Sequence, residues 1–234
     1  MVFWLGLFTC TAQASDDLYR TEFWPKIEVY YHVEERSRLL FTAAATRATE
    51  ATAQGSVVSF QDAQLSANFD YTLAPIMRKD VPQAEWSKNR LLWARLGFEY
   101  GSSLSSGADS FRSYTGIAEL NTRMPVGDDI WLTNRLRVDF RYINGEPSQR
   151  YRVRIGATGA AVAFDHPYAP YADLETLYDT RYAQWSRLVL KSGFETPMAE
   201  SWRVEPYIAL QFNKPDEVVR RVLGIGLTLK AYLP

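Results

Sequence analysis

Cysteine occurs once in this chain, at Cys10, and histidine twice, at His32 and His166. A single cysteine closes no intramolecular disulfide and builds no thiolate metal cluster. Both histidines fall in segments that read as turns, which makes them solvated turn residues rather than the base of a lipase-like site. Apolar runs of about eighteen residues, the length a spanning helix needs, are missing. The net charge is −1, from 26 Lys and Arg against 27 Asp and Glu, so nothing draws the chain to nucleic acid or to an anionic surface. Metal-ligand spacings, phosphate loops and dinucleotide fingerprints are also missing. Gly224-Ile225-Gly226 lies inside a strand pattern, where its glycines relieve crowding. These absences predict a non-enzymatic chain with no cofactor and no metal.

What is present is alternation. Gln149–Ala163 reads QRYRVRIGATGAAVA, with Arg150, Arg152 and Arg154 on one parity. Tyr151, Val153, Ile155, Ala157, Gly159, Ala161 and Ala163 hold the other parity. A two-residue period of this kind marks a strand with one charged and one apolar face. The pattern returns in segments of about ten residues bounded by turn residues, the signature of transmembrane barrel strands.

The chain opens MVFWLGLFTCTAQA, a short apolar run followed by Ala12-Gln13-Ala14 and the polar Ser15-Asp16-Asp17. That is the pattern of a secretory leader, with residues 1–14 removed and 15–234 forming one domain. A basic n-region is missing, which places the natural start upstream of Met1. The rival reading, a lipoprotein box ending at Cys10, fits poorly because Phe8 and Thr9 are not small.

Eleven strands follow from the turn signals. They are Trp24–Tyr31, Leu39–Ala48, a third centred on Ala63 to Leu73, Leu91–Tyr100, Phe111–Arg123, Ile130–Ile143, Gln149–Ala163, Tyr171–Thr180, Trp185–Glu195, Trp202–Phe212 and Arg220–Leu233. Thr49–Ser59 and Gly101–Ser110 read as polar loops, and Pro75–Asn89 as a longer connection. Bacterial single-chain barrels have even strand numbers and both termini on the periplasmic side. The expectation is therefore an all-β, antiparallel up-and-down barrel of about twelve strands, with ten as the alternative. Ser15–Phe23 would supply an irregular twelfth strand or thread the lumen. The C-terminal strand would run down to the periplasm.

Alternation alone does not say which face points outward. The leader, the strand lengths and aromatics near strand ends favour a lipid-facing apolar face. Those aromatics are Trp24, Tyr100, Trp131, Tyr142, Tyr171, Tyr178, Trp185, Trp202 and Tyr232. A secreted soluble barrel or sandwich is the other reading.

Several segments also resemble one family: EFWPKIEVYY, FQDAQLSANFDYTLAPIMR, NRLLWARLGFEY, LYDTRYAQWSR, VEPYIALQ and LGIGLTLKAY. The chain is similar, over nearly its whole mature length, to an uncharacterised outer-membrane β-barrel family of Gram-negative bacteria, a domain of unknown function. The resemblance implies a fold and an outer-membrane location but no activity. Such chains usually end in an aromatic, whereas this one ends Tyr232-Leu233-Pro234.

With the apolar face on lipid, the charged face lines the lumen. The candidate lining is Arg95, Glu99, Glu119, Arg123, Arg135, Arg137, Asp139, Arg141, Arg150, Arg152, Arg154, Asp173, Glu175, Asp179, Arg187, Lys191, Arg203 and Glu205, with Glu195 beside them. Two arginine-rich strands precede an acidic one, and a basic one follows. Cross-strand ion pairs closing a narrow lumen are one reading. A water-filled passage with a transverse field is the other. The functional expectation is a porin-like narrow pore for small polar solutes, or an envelope-integrity protein. An outer-membrane enzyme acting on lipid or polysaccharide, or a docking barrel for a partner protein, is the alternative. Its expected partners are outer-membrane lipid and the barrel-insertion machinery.

Overall fold

The structure is a computed structural model and describes residues 19–52, 55–75, 90–104, 110–127, 129–163, 165–214 and 220–234. The expected leader at 1–14, its Cys10, and residues 15–18 lie outside the described residues.

Twelve strands run β1 (Tyr19–Glu34), β2 (Ser37–Thr52), β3 (Gly55–Pro75), β4 (Arg90–Ser103), β5 (Arg112–Val126), β6 (Ile130–Ile143), β7 (Glu146–Gly159), β8 (Ala161–Ala163), β9 (His166–Asp179), β10 (Gln184–Ala199), β11 (Trp202–Asn213) and β12 (Arg220–Leu233). Eleven of them close a barrel. Neighbours along the chain pair antiparallel, β7 passes to β9, and β9 pairs β10. The remaining strand, β8, has three residues and continues β7 alongside β9 after Ala160. An odd number of up-and-down staves leaves one parallel pair at closure. Here it is β1 with β12, from Tyr19 against Arg221 to Tyr31 against Leu233.

The strand count of about twelve is therefore met, with two corrections to how it arises. Residues 19–23 form neither an extra strand nor a lumen thread, because they extend β1 between β2 and β12. The first described residue, Tyr19, and the C-terminal end of β12 accordingly lie at opposite mouths of the barrel. We call the mouth at Tyr19 the upper end and the mouth at Leu233 the lower end. The segment expected to be a loop at Thr49–Ser59 is also mostly strand, since β2 runs to Thr52 and β3 begins at Gly55. The polar composition that reads as loop is tolerated because backbone pairing, not apolar burial, holds a strand beyond the apolar band.

Local chemistry explains the turns. Asn144 and Gly145, joining β6 to β7, both have positive φ (51° and 92°). That is the two-residue Asn-Gly hairpin, whose turn matches the twist of the flanking strands.

Alternation sorts the side chains. Leu65, Phe69, Leu96, Phe98, Leu136, Phe140, Ile155, Ile208 and Ile225 stand exposed on the outer face. Arg38, Asp70, Glu119, Asp139, Glu175 and Glu205 are buried on the inner one. The usual soluble arrangement, apolar inside and charged outside, is inverted. No helix among the described residues is long and apolar enough to cross a membrane, which says nothing of strands.

Of the nine aromatics expected at a girdle, Trp24, Tyr171 and Tyr232 instead turn inward. Trp24 lies against Gly224, Tyr171 donates to Glu205, and Tyr232 is buried on Tyr30. Each shares parity with charged neighbours (Lys26, Asp173, Lys230), so the period itself carried this signal. Around the upper end, outer-face rings do form an arc. Tyr100 meets Tyr114 at 5.4 Å, Tyr151 meets Tyr178 at 6.4 Å, and Tyr178 meets Trp185 at 5.7 Å.

Candidate functional site: the charged lumen

Register lays the charges in rows. Arg38 on β2 is paired across the sheet with Asp70 on β3, Asp70 with Arg95 on β4, and Arg95 with Glu119 on β5. Glu119 is in turn opposite Arg137 on β6, and Arg137 is opposite Arg152 on β7. Opposite charges facing across neighbouring strands stabilise a sheet, and like charges destabilise it. The row alternates until Arg137 meets Arg152, and there Asp139 supplies the missing anion. One of its oxygens accepts from Arg137 Nε at 2.5 Å and the other lies 2.8 Å from Arg152 Nη2.

Three carboxylates anchor this half of the lumen. Asp70, 0% exposed, accepts from Arg38 Nε at 2.7 Å and from Arg95 Nε at 2.6 Å, with Arg90 at 3.8 Å. Glu119 holds Arg95 at 3.5 Å and Arg135 at 3.9 Å, and accepts from Asn121 Nδ2 at 2.8 Å. Glu175 on β9 takes Arg135 across an intervening strand, Arg154 at 3.0 Å and Arg152 at 3.8 Å. Arg154 also lies 3.8 Å from Asp173.

A second cluster fills the other half. Glu205 on β11 accepts from Tyr171 on β9 at 2.5 Å and from Lys191 on β10 at 2.7 Å. Its second oxygen lies 2.5 Å from Lys230 Nζ, and that ammonium also donates to Glu195 at 2.5 Å. Arg203 adds a contact to Glu195 at 3.7 Å. Room for this cluster comes from glycine: a side chain at Gly226 would run into the Tyr207 ring, over which Lys191 Nζ sits at 3.8 Å, and one at Gly193 would run into the Pro206 carbonyl and Tyr207 Cβ. Aromatic cover of strand glycines in this way fixes register. Toward the lower end, Tyr30 and Tyr232 stack at 4.8 Å, and the Arg38 guanidinium lies 4.6 Å above Tyr30. Leu40 packs against the same pair.

Most of the candidate lining residues thus meet one another inside the barrel. Glu99 contacts Arg137 at 3.8 Å, Arg141 donates to Asp179 at 2.6 Å, Arg150 lies 3.6 Å from Asp179, and Arg187 donates to Asn213 at 2.8 Å. Arg123 on β5 lies in the field of Glu195 on β10, on the far wall. Sequence reading missed Lys26, Glu28, Arg38, Asp70, Arg90 and Lys230, and the tyrosines Tyr171 and Tyr207. Asp70 had a signal, since it stands between outward Phe69 and Tyr71. Arg38 had little, because the alanine-rich run after it gives β2 no clear charged face.

Above the network the lumen widens into a cavity of about 780 Å³, which we call the vestibule. Arg141, Arg150, Arg152 and Arg187 line it from β6, β7 and β10, while Glu22 and Asp62 line it from β1 and β3. Both histidines are at the lower end of the fold, away from this cavity. Among the described residues no three His, Cys, Asp or Glu side chains converge as a metal-ligating group.

No protein-family model matches this chain, and no curated protein matches it.

Proposed function

We propose that this protein is an integral outer-membrane barrel serving as a gated, narrow passage for small polar solutes. It would be exported through the leader at 1–14 and would belong to the uncharacterised family it resembles. The vestibule faces outward in this reading, and the ionic network below it is the gate. One observation carries the proposal: charged residues, paired with one another across neighbouring strands, fill the lumen below a polar vestibule of about 780 Å³. Barrels of eight strands have interiors just wide enough for side chains, and those of sixteen or more enclose aqueous channels. Eleven staves lie between these sizes, so long arginines can bridge the space, and their retraction can clear it. Balanced charges favour polar solutes and impose a transverse field on whatever passes.

Purified protein in planar bilayers tests this. The native barrel should be closed at rest with rare, small openings. Joint substitution Glu119→Gln and Glu175→Gln removes two anchoring carboxylates and should give a steady conductance that favours anions, because unpaired arginines then line the way. A variant that remains folded and silent overturns the passage. A weakened envelope in cells lacking the protein would then favour the envelope-integrity role.

A further inference from the structure

The vestibule is lined by more cations than carboxylates, eight Arg and Lys against five Asp and Glu among the described residues. On the β6–β7–β10 wall, among the described residues, Arg141, Arg150 and Arg152 find Asp139 and Asp179; Asp139 is shared with Arg137, and Glu175, 3.8 Å from Arg152, is already committed to Arg135 and Arg154. Among the described residues the Arg187 guanidinium bonds the neutral Asn213. Arg141 is 7% exposed, and its Nε, like those of Arg150 and Arg152, has no hydrogen-bond acceptor. Buried donors without acceptors are costly and are normally satisfied by something. Guanidinium groups present paired N–H donors in a plane, the geometry that matches a tetrahedral oxyanion.

We propose that the vestibule wall formed by Arg141, Arg150, Arg152 and Arg187 binds a phosphate group carried by a small solute or a lipid. The bound anion would accept the free guanidinium N–H groups and cancel the excess positive charge. Glu22 and Asp62 stand on the opposite wall of the same cavity and repel the anion toward the arginines. The inference rests on the passage reading only for direction, the vestibule being the solute's entry. Binding is measured on closed protein, so it can fail while conduction stands, and the reverse.

The test is calorimetric titration of the full-length protein, folded in detergent, with inorganic phosphate, glucose 6-phosphate, dihexanoyl phosphatidic acid and glucose. The three phosphates should bind and glucose should not. Losing charge-assisted bonds in Arg187→Gln and Arg150→Gln should weaken binding about tenfold each. Asp179→Asn, which deepens the imbalance, should strengthen it several-fold. That opposite sign separates a binding role from general damage, and circular dichroism checks that each variant is folded. Phosphatidic acid binding at least tenfold tighter than inorganic phosphate assigns the site to a lipid headgroup. Comparable affinities assign it to soluble phosphates. Absence of phosphate binding, or affinities that ignore all three substitutions in folded protein, overturns the proposal.

Discussion

Asp70 shows what a single residue holds in this lumen. One carboxylate on β3 ties β2 and β4 together through Arg38 and Arg95, and it has no contact with solvent. Removing one member of a buried ionic group costs more than the group contributes, because the partners are left charged and unsolvated. Asp70→Asn should therefore destabilise the barrel by about 3–5 kcal/mol, read from urea unfolding in lipid. Adding Arg38→Gln to that variant should restore part of the loss, since the second change removes one of the charges that the first left unpaired. Equal and additive losses from the two substitutions would show that Asp70 and Arg38 act independently.

At the scale of the element, two prolines divide the wall unevenly. Pro25 in β1 interrupts the ladder to β2, where pairing passes from Phe23–Arg47 to Lys26–Ala44. Pro206 in β11 interrupts the ladder to β10, where pairing passes from Gly193–Tyr207 to Thr196–Val204. Proline has no N–H, so each removes a ladder bond on one side of its strand. Both prolines pair with the same residue, Leu227 of β12, on their unbroken sides. The three strands β11, β12 and β1 thus form a panel, continuous within and loosened along both margins. Hydrogen exchange should be faster at Ala45–Thr46 and Phe194–Glu195 than within the β11–β12 ladder. Uniform protection across these strands would remove the panel as a mechanical unit.

The whole molecule is organised by an odd number of staves. Because β1 and β12 run in the same direction, the first and last described residues lie at opposite mouths, so the proposed membrane insertion puts only one of them on the periplasmic side. In the proposed orientation the β4–β5 connection faces the cell exterior, and the turn between β1 and β2 faces the periplasm. An epitope inserted in the β4–β5 connection should be labelled by antibody on intact cells. One inserted at Glu35-Arg36 should be labelled only after permeabilisation. The reversed pattern would invert the barrel and place the vestibule on the periplasmic side.

The sequence by itself determined the elements and their faces, because a two-residue period is a local property of the backbone and needs no partner to be read. It made legible the all-β class, the strand order, and the sorting of Arg150, Arg152 and Arg154 away from Val153 and Ile155. It placed the arginine strand before the acidic one but left their pairing as one of two readings, and the structure brings Arg154 to Asp173 and Glu175 on the next barrel stave. Tertiary structure alone decided the closure. Eleven up-and-down staves can only close on a parallel seam, but that the sheet closes on eleven, with β1 directly against β12 and no further stave between them, is encoded in no local pattern. It likewise decided the site. Arg135 reaches Glu175 across an intervening strand, and Lys230 is drawn to Glu195 two strands away. Those contacts follow from barrel radius and shear, which are properties of the closed sheet and not of any strand within it. The phosphate wall is the same case: its arginines are spread over β6, β7 and β10, and only curvature turns them toward one cavity.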